Sequence, residues 1–217
     1  MDKRLILHTY FRSSAAYRVR IGLNLKGLAF EPRYFHLGRG EHGGADNRAV
    51  NPQGFVPTLI DGGRPFIQSL AILEYLEETH PEPPLLPREP ADRAFVRALA
   101  QIVSADIHPL NNLRVLKYLR NELALDEAAV LAWTQTWIRA GFDALEAMLA
   151  ARERPGPFCF GDRPGLADCC LVPQMASARR FNLPLDGYPV ISAINAGCLA
   201  MDEFAAAAPE NQPDHES

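Results

Sequence analysis

The sequence predicts an α/β unit of roughly 80 residues followed by an all-helical unit, and three observations predict it. Short apolar runs punctuated by Gly and Pro fill the first part of the chain. Five prolines then crowd into His80–Pro90, and beyond them apolar residues recur at i, i+3 and i+4 with few breakers. With 217 residues, 47% hydrophobic and 22% charged, the chain has enough material for a sizeable core and lies far from disordered compositions.

In order along the chain, Arg4–Tyr10 reads as a strand, and Glu31–His36 alternates weakly. Val56–Ile60 is a short apolar run bounded by Pro57 and by Asp61-Gly62-Gly63, and Arg64–Ile67 can hairpin back on it. Ser69–Thr79 puts Ile72, Leu73 and Leu76 on one face and Glu74, Glu77 and Glu78 outward, behind a serine at the N-cap position, and is therefore a helix. In Arg18–Lys26, Val19, Ile21, Leu23 and Leu25 alternate strictly with polar residues or Gly22, which by pattern alone is a half-buried strand. His80–Pro90 cannot be helix or central strand and reads as a semi-rigid linker. Ala91–Arg120 and Asp126–Arg152 carry helical periodicity, with Asp126 as N-cap, and Gly165-Leu-Ala-Asp168 opens a further helix. The Ala-rich, then Pro/Asp/Glu-rich tail is expected to fray. The expected organisation is thus 1–80, a linker at 81–90, a helical domain at 91–204 and a disordered tail at 205–217.

Charge and cysteine content narrow the function. A net charge of −4 leaves no global positive field for a nucleic-acid backbone. Three lysines stand against nineteen arginines, and Arg is the residue that grips carboxylates bidentately. Cys159, Cys169, Cys170 and Cys198 form no Cys-x-x-Cys pair, so neither a disulfide framework nor a zinc site is expected and a cytoplasmic setting fits. No run of 18 apolar residues occurs and the N-terminal apolar run is short, so no membrane partner and no signal peptide are expected.

Five ordered motifs carry a resemblance: Tyr10-Phe-Arg-Ser-Ser-Ala-Ala-Tyr-Arg-Val-Arg-Ile21, Asn51-Pro-Gln-Gly-Phe-Val-Pro-Thr-Leu59, Gln68-Ser-Leu-Ala-Ile-Leu-Glu-Tyr-Leu76, His108-Pro-Leu-Asn-Asn-Leu-Arg-Val-Leu116 and Ala167-Asp-Cys-Cys-Leu-Val-Pro-Gln174. Together they resemble the zeta class of glutathione transferases, which includes maleylacetoacetate and maleylpyruvate isomerases, from about residue 4 to 204. The resemblance implies a thioredoxin-like N-terminal domain, an all-α C-terminal domain and a homodimer, and it makes residues 14–26 a helix against the alternation. It also implies glutathione as cofactor and assigns roles. Ser13, with Ser14 beside it, would be the catalytic centre, its hydroxyl stabilising the glutathione thiolate. Each unit of thiol pKa lowered is about 1.4 kcal/mol of differential stabilisation. Val56-Pro57 would be a cis peptide whose backbone pairs with the cysteinyl part of glutathione, and Gln68-Ser69, at a helix start, would hold the γ-glutamyl carboxylate. His42, His108 and Asn112 match glutathione contacts. Ala15 stands at a cofactor-lining position where the family usually has Cys, which argues against chemistry on the protein's own thiol. Arg12, Arg114 and Arg180 would hold the carboxylates of a small dicarboxylate substrate.

The function implied is glutathione-dependent cis–trans isomerisation of maleylacetoacetate or a close analogue in aromatic catabolism, with no metal. Conjugation of glutathione to α-haloacids or other electrophiles is the alternative, and a non-catalytic scaffold the third. Retention of Ser13, Val56-Pro57 and Gln68-Ser69 argues against the scaffold.

Overall fold

The computed structural model describes residues 4–216, so Met1–Lys3 of the expected first domain and Ser217 of the expected tail lie outside it. The chain divides into two compact units: residues up to Leu85 together with Leu199 onward, and Leu86–Cys198.

The first unit holds a mixed four-stranded sheet, β1 (Leu5–Thr9), β2 (Phe30–Tyr34), β3 (Thr58–Asp61) and β4 (Arg64–Ile67), in the order β2-β1-β3-β4. β1 runs parallel to β2, while β1/β3 and β3/β4 are antiparallel. The parallel pair requires a crossover, supplied by α1 (Ser14–Leu25). With α3 (Ser69–Thr79), α1 closes a core of Leu5, Leu7, Val19, Leu23, Leu59, Ile72 and Leu76. The two helices approach at Gly22, where a Cβ would collide with the Leu73 side chain. The sheet-and-helix arrangement is thioredoxin-like, as the resemblance implies.

Residues 18–26 are helical, so the alternation misled. Every residue from Ala16 to Leu23 is buried, including Arg18 and Arg20, and a helix buried on all sides has no polar stripe for a periodicity to find. The tail is a second departure. α9 (Asp202–Ala207) packs on α1, a 3₁₀ turn follows at Pro209–Asn211, and Gln212 Nε2 donates to Ala206 and Ala208 carbonyls at 2.8 and 3.0 Å. The expected fraying fails because side chains within the tail and on α1 satisfy its backbone. Asn24 Nδ2, for one, donates to the Glu203 carbonyl at 2.9 Å.

The second unit is helical. α4 (Pro90–Gln101) continues into a π-helical turn, Ile102–Ile107, and α5 (Leu113–Asn121) begins only after an interruption at 108–112, so the single helix expected over Ala91–Arg120 is broken. The wide turn packs on α6 (Glu127–Ala150) at Gly141, where a Cβ would strike Ile107. Asp126 caps α6 by accepting from Ala129 N–H at 2.8 Å, as its position predicts. Asp168, in the first turn of α7 (Leu166–Arg180), accepts from Gly165 N–H at 2.8 Å. Glu146 of α6 accepts from Val190 and Ile191 N–H at the start of α8 (Pro189–Leu199).

Candidate active site

β1 delivers the chain to a tight turn, Tyr10–Arg12, after which Ser13 caps α1. Ser13 N–H donates to the Tyr10 carbonyl at 3.0 Å, and Ser13 Oγ accepts from Ala16 N–H at 3.2 Å. A hydroxyl that accepts as a cap keeps its proton to donate, and the adjoining helix N-terminus favours an anion at that proton. Ser13 is buried, Ser14 and Ala15 are half-buried within the first turn, and Arg12 is exposed.

Three further segments gather on this turn. Val56–Pro57 is a cis peptide just before β3, and Val56 packs with Tyr10 and Phe11 in one cluster, against Phe35 and Leu37. Buried Asn47 ties this turn to the 3₁₀ turn carrying half-buried His42: its Nδ2 donates to the His42 and Phe55 carbonyls at 2.8 and 3.0 Å. Its Oδ1 in turn lies 2.8 Å from Nδ1 of buried His8, whose pKa burial pushes down, so the neutral ring is the form that pairs. The third segment is the start of α3. Gln68 sits at φ 68°, ψ 118°, a conformation that costs a non-glycine residue about 1–3 kcal/mol and that the surrounding structure must hold in place. The bend makes Gln68 the cap residue and Ser69 the first helical residue, so Ser69 is not the N-cap the sequence suggests. Ser69 Oγ instead accepts from Nη1 of buried Arg18 at 3.1 Å, which links the α3 N-terminus to α1 one turn below Ser13. Exposed Gln68 donates through Nε2 to Gln53 Oε1 at 2.7 Å.

This arrangement fits a short thiol-bearing peptide. The start of α1 presents a hydroxyl proton, the backbone before Pro57 lies outside the strand ladder at Val56, and the α3 N-terminus presents free N–H groups.

The remaining candidates lie in the second unit. His108 follows the π turn and is half-buried, and Asn112 caps α5, its Oδ1 accepting from Arg114 N–H at 3.2 Å. The cap leaves Asn112 its side-chain amide donors for a ligand. Arg114 is exposed in the first turn of α5, and Arg180 is exposed at the end of α7, its guanidinium 4.8 Å from the Phe181 ring centre. Val115 and Phe181, the neighbours of these two arginines, both pack against the cluster Leu116, Leu119 and Val130. The four cysteines are free and buried, and burial pushes the thiols of Cys159, Cys169 and Cys198 up, so none of these three is a ready thiolate.

Sequence reasoning missed Asn47, Arg18 and Arg20. Arg20 donates to Thr9 Oγ1 and to the Tyr10, Phe11 and Ala207 carbonyls at 3.0–3.2 Å, and burial lowers its pKa to about 10. The available signal was an arginine pair inside an apolar run beside the two serines.

A thioredoxin-like unit with a helix-start serine beside a cis-proline turn, joined in sequence to an all-helical unit, defines a glutathione-handling class of protein. Residues 7–84 match the glutathione S-transferase N-terminal domain and residues 127–193 its C-terminal domain. A maleylpyruvate isomerase of Ralstonia sp is 52% identical over 208 residues, covering 96% of this chain and 98% of the relative. A solved holo structure of a maleylpyruvate isomerase, described as a zeta-class bacterial glutathione S-transferase, superposes with a TM-score of 0.96 at 52% identity, covering 97% of this chain and all of that one. A maleylacetoacetate isomerase of Methylobacterium extorquens, solved with malonate and glutathione bound, gives 0.94 at 41% identity, covering 98% and 100%. The chain belongs to the zeta class of the glutathione S-transferase family.

Proposed function

We propose that this chain is a glutathione-dependent cis–trans isomerase converting maleylacetoacetate, or maleylpyruvate, to the fumaryl product. The observation that carries the reading is Ser13: a buried hydroxyl that caps α1, keeps its proton, and stands beside the cis-proline turn in a protein half identical to a maleylpyruvate isomerase. Bound glutathione supplies a sulfur nucleophile that adds reversibly to an alkene conjugated with a carbonyl, so that the bond rotates before the sulfur leaves. Ser13 directs its O–H at that sulfur and favours thiolate over thiol, with Ser14 and Ala15 lining the same turn. The backbone at Val56-Pro57 orients the cysteinyl portion, and the α3 N-terminus at Gln68-Ser69 receives the γ-glutamyl carboxylate. His42, His108 and Asn112 supply further donors to the same ligand.

Arg12, Arg114 and Arg180 hold the substrate's carboxylates and stabilise negative charge as it develops on the carbonyl oxygen. Malonate bound with glutathione in the Methylobacterium relative supports a dicarboxylate substrate class. A cytoplasmic homodimer goes with this reading. The second reading, conjugation to α-haloacids, uses the same sulfur activation.

An assay on freshly generated maleylacetoacetate decides between them. Isomerisation is expected to require glutathione without consuming it. Stoichiometric loss of glutathione with haloacids, and no isomerisation, would install the conjugating enzyme, and no turnover of any electrophile would leave a scaffold.

A further inference from the structure

The loop that carries Ser13 is held by the far end of the chain. Phe11 N–H, two residues before Ser13, donates to Asp214 Oδ2 at 2.9 Å, across 203 positions of sequence. The other oxygen, Oδ1, is buried and accepts no hydrogen bond among the described residues, and the carboxylate's charge favours the cation of Arg20 behind the loop. His215 meets the Phe11 ring edge-on at 5.2 Å, and Glu216 pairs with Arg39 at 2.7 Å and lies 3.2 Å from His36. Behind the loop, Arg20 gathers the Tyr10 and Phe11 carbonyls together with that of Ala207 in α9. The Tyr10 carbonyl is the one that receives Ser13 N–H. The Phe11 N–H and the Tyr10 and Phe11 carbonyls are therefore bonded to, or one side chain from, residues 207–214.

We propose that the segment Pro209–Glu216 is a strap that sets the position of Ser13, with Asp214 as its positioning residue. The inference rests on Ser13 acting on the glutathione sulfur. Asp214 touches neither cofactor nor substrate in this proposal; it fixes Phe11, and Phe11 fixes the turn from which the Ser13 hydroxyl points. A displaced hydroxyl loses alignment with the sulfur, and hydrogen bonds weaken steeply with angle. Loss of the carboxylate charge by itself would push a neighbouring thiol the other way, towards easier ionisation, so position and charge predict opposite signs.

The test compares Asp214→Ala and Asp214→Asn with wild type in the full-length protein. The amide oxygen of Asn still accepts from Phe11 N–H, while Ala cannot. Three quantities are read: hydrogen exchange of the Phe11–Ala16 segment without glutathione, the thiolate absorbance titration of bound glutathione, and the melting temperature. Asp214→Ala is expected to speed exchange in that segment and to raise the bound thiol pKa by about one unit, with the KM for glutathione within about threefold. Asp214→Asn is expected to restore both to wild type. An Ala variant that melts earlier with unchanged exchange and thiol pKa would make the strap merely structural, a thiol pKa lowered in both variants would assign the effect to charge, and an Asn variant with exchange and thiol pKa raised as in Ala would show that the Phe11 bond does not set the loop; each overturns the proposal. A wild type that does not lower the thiol pKa overturns the glutathione reading instead, while the exchange comparison still decides whether Asp214 orders the loop.

Discussion

Ser13 and Ser69, the two serines proposed to bind glutathione, stand in different structural situations. Ser13 is a true helix cap, its oxygen engaged by Ala16 N–H, whereas Ser69, which in sequence looks like the cap, is the first residue inside α3 and is held by buried Arg18. Each hydroxyl oxygen thus accepts one structural bond, from a backbone N–H at Ser13 and from a guanidinium at Ser69. At Ser13 the structural partner uses a lone pair and leaves the proton to donate, which in the proposed reading goes to the glutathione sulfur. At Ser69 the oxygen accepts from a guanidinium and its O–H is likewise left to donate, which in the proposed reading goes to a carboxylate. A second contrast separates the units: the serines are buried in a bonded framework, while Arg114 and Arg180 are exposed beside a shared apolar cluster.

The largest test of this contrast is Ser13→Ala. Turnover should fall roughly 10²-fold or more, as for loss of one transition-state donor. Stability should fall by about 1 kcal/mol because a cap is lost too; urea unfolding beside the steady-state assay separates these effects, and Ser14→Ala being the crippling change would move the catalytic role by one residue.

Next come the arginines. Arg114→Ala and Arg180→Ala should each cost about 1.5–3 kcal/mol in kcat/KM with a dicarboxylate, the range for a hydrogen bond to a charged group. Neutral chlorodinitrobenzene should be turned over as before, and equal losses on both substrates would make the arginines structural. Ser69→Ala should raise the KM for glutathione more than it lowers kcat. Because Arg18 loses an acceptor rather than α3 a cap, the melting temperature should fall further than removal of an exposed cap would cause, and thermal melts with and without glutathione read both effects. The smallest effect belongs to Ala15→Cys, which restores the commoner family residue: isomerisation should stay within a few-fold, since the reacting sulfur is glutathione's.

Much of the fold was legible where burial has two sides. The strands around the sheet, the amphipathic α3, the Asp126 cap and the Gly165–Asp168 start all follow from local pattern and are present. Legibility failed where polar residues are buried. Arg18 and Arg20 mimic the solvent face of a strand while lying inside, and the tail's Ala and Asn residues look like a solvated end until α1 is packed against them. The interruption at 108–112 is invisible to periodicity because Ile107, Leu110 and Leu113 keep apolar residues recurring at threefold spacing across it. The candidate site was legible only through motif resemblance: a serine before a helix reads as a cap from physics alone, and here it is one.

The first unit is built from both ends of the chain, with the whole of residues 86–198 intervening. On the ribosome the strands and the Ser13 turn emerge early, but Ala207 and Asp214, which bond to that turn, emerge only after residues 86–198. A nascent chain that stops short of these residues therefore carries Ser13 without the Ala207 and Asp214 bonds to its turn.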